Sequence, residues 1–138
     1  MRAYRRSRQL GPMSDAGCPF CSPPRNRLRN ENGSAYWIFD GYPVARHHAL
    51  VIPKRHVASF FDLSREERID ALDLIELARL EIEGVASPDG FTIGVNDKAA
   101  AGQTVAHVHI HLIPRWLGDV DDPRGGVRWV IPEKARYW

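Results

Sequence analysis

From His107 to Leu112, histidine and aliphatic side chains alternate strictly, and the alternation is flanked by Val105, Ala106 and Ile113. A period of two predicts a half-buried β-strand over 105–113, with one face polar and the other in a core. Residues 34–40, SAYWIFD, are aromatic and β-prone and predict a second strand, ended by the Asp40-Gly41 turn. The short apolar run 49–52, stopped by Pro53, predicts a third, and 91–96 a fourth. Ser64-Arg65-Glu66-Glu67 reads as a capping box opening a helix over 64–84, with Gly84 as its stop. Ile69, Leu72, Ile75, Ala78 and Ile82 form one apolar stripe, with Leu74 and Leu77 beside it. That is wider than one core-facing stripe requires, so part of the helix is expected to bury against a second subunit. The Pro-, Arg-, Asn- and Gly-rich stretch 23–33 reads as loop, 97–102 as a hairpin-like loop, 118–126 as loop and 127–131 as a last short strand. Strands outnumber helices and connections are short, which predicts an antiparallel α+β domain.

Size and charge narrow this little further. At 138 residues and 15.6 kDa the chain is one domain, expected over 17–138. No apolar run approaches the roughly 20 residues of a membrane span. A net charge of +2 gives no reason to expect a nucleic-acid or membrane partner. The first 16 residues are polar and arginine-bearing, without the apolar core of a secretory signal, and are expected to be a disordered tail, with Met13 as an alternative start. Two cysteines are too few for a disulfide scaffold, which fits a reducing, cytoplasmic setting.

The chemistry concentrates in imidazoles. Half of the six histidines are His107, His109 and His111. On a strand they would share one face, with neighbours roughly 7 Å apart. Imidazole serves near neutral pH as nucleophile, acid, base or metal ligand, so the row supports either a metal site or a nucleophilic histidine with histidine helpers. Cys18-Pro19-Phe20-Cys21 is a C-x-x-C without the strand–helix context of a redox dithiol. His56 and His107 would complete a tetrahedral Cys2His2 zinc set, though the long separations leave unliganded thiols open as the alternative.

The run 102–115, GQTVAHVHIHLIPR, resembles the signature of the histidine triad (HIT) superfamily, His-φ-His-φ-His-φ-φ. The segment 47–56, HHALVIPKRH, and Gly94-Val95-Asn96 resemble further blocks of that family in the expected order, so the resemblance covers about residues 18–116. It implies a five-stranded antiparallel sheet with a long helix packed on it, as a two-fold dimer. It also implies a nucleotide or dinucleotide substrate, attacked at the α-phosphate through a covalent nucleotidyl-histidine. The matching positions are His109 as nucleophile, His111 as donor to phosphate and leaving group, and His107 and His48 as supporting histidines. Asp40 matches the residue that holds the ribose, and Asn96, Gly102, Gln103 and Thr104 match phosphate contacts. Family members place structural zinc on residues matching Cys18, Cys21, His56 and His107, with His48 as an alternative fourth ligand. No metal is implied for the chemistry itself. Pro114-Arg115 resembles the fragile-histidine-triad branch, Asp40 the phosphoramidase branch, and Trp116 with Gly118-Asp119 the diadenosine tetraphosphate phosphorylases. The third histidine separates the chain from uridylyltransferases. A non-catalytic nucleotide-binding module is the remaining reading, against which His109 stands.

Overall fold

The computed structural model describes residues 17–138; the expected N-terminal tail and the Met13 start lie outside the described residues. Five strands, β1 (Leu28–Glu31), β2 (Ala35–Phe39), β3 (Ala49–Pro53), β4 (Gly90–Gly94) and β5 (Ile110–Arg115), form one antiparallel sheet in the order β1-β2-β3-β5-β4. One long helix, α1 (Arg65–Ala86), crosses β2 and β3, and a one-turn helix, α2 (Pro132–Ala135), lies near the C-terminus.

Register decides which residues reach the site. Val51 pairs with Ile110 and Leu50 with His111. Side chains of consecutive strand residues point to opposite faces. One face therefore carries Ala35, Trp37, Ala49, Val51, Ile110 and Leu112, and α1 covers it with Ala71, Leu74, Ala78 and Ile82. All four helix residues are fully buried. Burial of a leucine or isoleucine side chain contributes about 1.5–3 kcal/mol. The opposite face carries Tyr36, Ile38, Leu50 and Ile52, packed by Phe20 and Leu28, and it is the face on which His111 lies.

Several expected boundaries move. The stretch 23–33 contains β1, an edge strand whose only apolar residue is Leu28, so it offers no alternation to detect. The histidine strand begins at Ile110, not Val105. Ahead of it Val108 N–H bonds Val57 O, away from the ladder, so His107 and His109 precede the strand. The 97–102 loop closes in a 3-10 turn, Ala99–Ala101. The expected last strand is a 3-10 turn, Gly126–Val130, preceded by Gly125 at φ 91°, and Arg128 bonds the carbonyls of Lys134 and Ala135. Helix α1 runs through Gly84 to Ala86, and Ser87 at φ 46° followed by Pro88 ends it. The capping box forms as expected. The core stripe, however, is Ala71, Leu74, Ala78 and Ile82; Ile69 and Leu72 point away, 47% and 60% exposed. The excess apolar width is thus real and faces outward.

Candidate active site

Two clusters of side chains occupy the face opposite α1, and they share residue 107–111 backbone. In the first, His107 is fully buried and its Nε2 lies 2.6 Å from Pro53 O. A carbonyl only accepts, so Nε2 carries the proton and the Nδ1 lone pair points elsewhere. It points at Cys18 Sγ (3.4 Å), Cys21 Sγ (3.6 Å) and His56 Nδ1 (3.3 Å), while Cys21 Sγ lies 3.1 Å from His56 Nδ1. The sulfurs are not joined in a disulfide. A tetrahedral zinc with N at about 2.0–2.1 Å and S at about 2.3 Å needs ligand separations of about 3.3 Å between nitrogens and about 3.6 Å between N and S. The donor set and its spacing therefore fit a metal ion, as expected for Cys18, Cys21, His56 and His107.

The second cluster is Asp40, His48 and His111. Val44 N–H donates to His48 Nδ1 at 3.1 Å, so His48 carries its proton on Nε2. That proton faces His111 Nδ1 at 2.9 Å, with Asp40 Oδ2 at 3.4 Å. His111 Nδ1 is then the acceptor, and the His111 proton sits on Nε2. One hydrogen bond thus chains His48 to His111. His48 sits in this cluster and not with Cys18, Cys21, His56 and His107, so it does not lie where a fourth ligand of the cysteine cluster would. Burial lowers the pKa of His48, against the opposing charge of Asp40. Burial, with the neighbouring His109 and His48 adding to it, lowers that of His111 to about 4.

His109 stands between the clusters. Its Nδ1 lies 2.9 Å from His107 O, so Nδ1 donates and Nε2 keeps a free lone pair. Its ring meets that of His111 at 5.1 Å between centroids and 66° between planes. Both rings line a cavity of about 340 Å³ together with Phe20, Asp40, Asn96, Gly102 and Thr104. The structure thus brings every expected site residue either to this cavity or to the clusters beneath it. Gln103 lines it too, but its side-chain amide is engaged, donating to Ala58 O and Val105 O and accepting from Lys98 N–H. Asp97, bonded by Ser59 Oγ and Phe60 N–H, pins the loop that carries Asn96. Tyr42, Leu50 and Arg27 also line the cavity and were not anticipated. Pairing of Leu50 with His111 could have found one of them; Arg27 lies in a stretch without pattern. A larger groove of about 720 Å³ beside Arg115 and Trp116 holds none of the imidazoles, so size does not locate the chemistry here.

An oriented imidazole, an N–H-bearing neighbour and a loop of small residues form an arrangement suited to displacement at phosphorus. Residues 27–116 match the HIT domain model. The chain belongs to the HIT domain family. Among curated relatives, the AP-4-A phosphorylase of Mycobacterium tuberculosis is 35% identical over 104 residues, 73% of this chain and 53% of that protein. The bis(5'-nucleosyl)-tetraphosphatase [asymmetrical] of Schizosaccharomyces pombe is 40% identical over 80 residues, 58% of this chain and 44% of that protein. The chain spans about half the length of these two relatives. Among solved structures, a Zn-bound histidine triad family protein from Mycobacterium smegmatis superposes with a TM-score of 0.68 at 28% identity, covering 88% of this chain and 96% of that one.

Proposed function

We propose that the chain is a nucleotide hydrolase or transferase that acts on the α-phosphate of dinucleoside polyphosphates or nucleoside phosphoramidates. The observation that carries this reading is the orientation of His109: its Nδ1–H on the His107 carbonyl turns the Nε2 lone pair into the cavity. In the first step His109 Nε2 attacks phosphorus. The P–N bond forms, the bond from phosphorus to the leaving group breaks, and the leaving group departs as its phosphate anion, with the His111 Nε2–H donating a hydrogen bond to the departing oxygen. The His48 Nε2–H donated to His111 Nδ1 keeps that ring oriented for this contact. In the second step an acceptor attacks phosphorus, the P–N bond breaks to return neutral His109, and any proton carried by the acceptor leaves with the product phosphate or to solvent. Splitting one displacement into two is the advantage of covalent catalysis. Asp40 is positioned to accept from ribose hydroxyls, and Asn96, Gly102, Gln103 and Thr104 wall the phosphates.

Water and inorganic phosphate are rival acceptors, and the AP-4-A phosphorylase relative supports the second. Incubation with diadenosine tetraphosphate, with and without phosphate, separates them: water gives AMP and ATP, phosphate gives ADP and ATP. Absence of any cleavage would overturn the assignment.

Cys18, Cys21, His56 and His107 would hold a structural zinc ion, closed to substrate by four protein ligands. Zinc there supplies folding free energy, and no metal enters the phosphoryl step. Two thiolates kept as ligands suit a reducing cytoplasm. No helix of the described residues is long and apolar enough to cross a membrane. A homodimer is the assembly we infer: Ile69, Leu72 and Leu80 on α1 and Ile93 on the edge strand β4 are all 47–60% exposed, and a two-fold contact would cover them.

A further inference from the structure

Phe20 lies between the two cysteines in sequence and against the nucleophile in space. Its ring centroid is 5.1 Å from that of His109, at 60° between planes, and 6.0 Å from that of His107, at 87°. Edge-to-face geometry is the one aromatic quadrupoles favour. The backbone of Phe20 is also held, because Tyr36 Oη donates to Phe20 O at 2.6 Å. Burial, followed by the nearby Cys18 and Cys21, pushes the Tyr36 hydroxyl pKa up, which keeps it a donor.

A histidine ring turns easily about its terminal torsion, for which the energy wells are broad. An in-line attack tolerates little such turning. Three contacts oppose it at His109: the His107 carbonyl, the His111 ring and the Phe20 ring. Two of the three come from residues of the cysteine–histidine cluster or from the loop between its cysteines. His107 faces the cluster with its side chain and His109 with its carbonyl.

We propose that Phe20 is a positioning residue for His109, and that metal held by Cys18, Cys21, His56 and His107 fixes the reactive imidazole through Phe20 and the His107 carbonyl. The proposal rests on His109 as nucleophile. It makes the metal cluster more than a fastening for the N-terminal segment: its occupancy sets the geometry of the reaction.

The test uses the full chain, zinc-loaded, as wild type, Phe20→Leu and Phe20→Tyr. Leucine keeps apolar volume and removes the ring; tyrosine keeps the ring. Loss of one aromatic contact corresponds to a fall of about 3- to 10-fold in kcat. Phe20→Leu is expected to show that fall with KM unchanged, and Phe20→Tyr to restore it. The second readout needs no turnover. The His109 Nδ1–H resonance in 15N-labelled protein is expected to be sharp and slow to exchange in wild type, and broadened in Phe20→Leu and in chelator-treated wild type. A sharp, protected resonance in Phe20→Leu, or a raised KM at unchanged kcat, overturns the proposal and leaves Phe20 as a wall of the cavity. A sharp, protected resonance in chelated wild type that stays folded overturns the metal's part; should the chelated protein unfold, Cys18→Ser is read in its place by the same resonance, while the zinc-loaded Phe20→Leu decides for the ring. A wild type that cleaves no nucleotide removes the proposed function instead, while the resonance continues to report on the ring.

Discussion

Replacement of Glu67 by glutamine tests how the fold holds the loop that carries His56 to the helix. Glu67 is 8% exposed at the first turn of α1. Its carboxylate accepts from Ser64 N–H at 3.0 Å and from Arg55 at 2.7, 3.1 and 3.2 Å. Arg55 directly precedes His56, so this pair joins the helix start to the cysteine–histidine cluster. The Arg55 hydrogen bonds, outweighing burial, lower the Glu67 pKa from 4.5 to about 2. A shift of that size corresponds to at most about 3 kcal/mol. Arg55 is 54% exposed, so solvent screening reduces the figure to about 2 kcal/mol. The sign follows from a depressed carboxyl pKa. The contribution is fully present above pH 4.5 and is lost as pH falls through about 2. Calorimetric melting of wild type and Glu67→Gln should differ by about 7 °C at pH 7, taking about 2 cal/mol/K of unfolding entropy per residue. The gap should narrow steadily below pH 4.5. A difference under about 2 °C at pH 7, or one independent of pH, would refute the reasoning.

Cys18→Ser should release metal and lower the melting temperature, and elemental analysis of protein purified without chelator should give one zinc per wild-type chain. His48→Ala should cut kcat about a hundredfold, because His111 loses the donor that sets its tautomer, while equilibrium dialysis finds nucleotide binding retained. The rate should be flat from pH 6 to 8 as far as His111 is concerned and fall only as pH approaches about 4, where that ring gains a proton and no longer accepts from His48; stopped pH–rate profiles check this. Light scattering should give a mass near twice 15.6 kDa for wild type and near 15.6 kDa for a Leu72→Glu, Leu80→Glu variant with its face charged.

The strands that carry apolar periodicity were legible in the chain, and so was the capped start of α1. The sheet's edge strand β1 was not, because Leu28-Arg29-Asn30-Glu31 has no buried face to record. Nor was the outward turn of Ile69 and Leu72: a helix apolar on two sides does not say which side meets its own sheet. In the site, the three alternating histidines declared themselves, yet alternation implied one shared face. The backbone leaves the ladder before Ile110, which lets His107 turn into the cysteine cluster while His109 and His111 face the cavity. Tautomers depend on partners far off in sequence, Pro53 O for His107 and Val44 N–H for His48, and only the fold supplies them. The separation of Cys18 and Cys21 from His56 and His107 hid the candidate ligand set from spacing; β3 and β5 pairing brings His56 to His107, and the Tyr36 hydroxyl on Phe20 O holds the cysteine segment beside them.

The central claim is that His109 Nε2 becomes covalently nucleotidylated. Rapid acid-free quenching of the protein with diadenosine tetraphosphate, followed by peptide mapping under alkaline conditions that preserve phosphoramidates, tests it most directly. The account predicts a nucleotidyl group on the peptide carrying 107–111, localised to His109, and neither adduct nor turnover in His109→Ala. An adduct on any other residue, or near-normal turnover by His109→Ala, would contradict it.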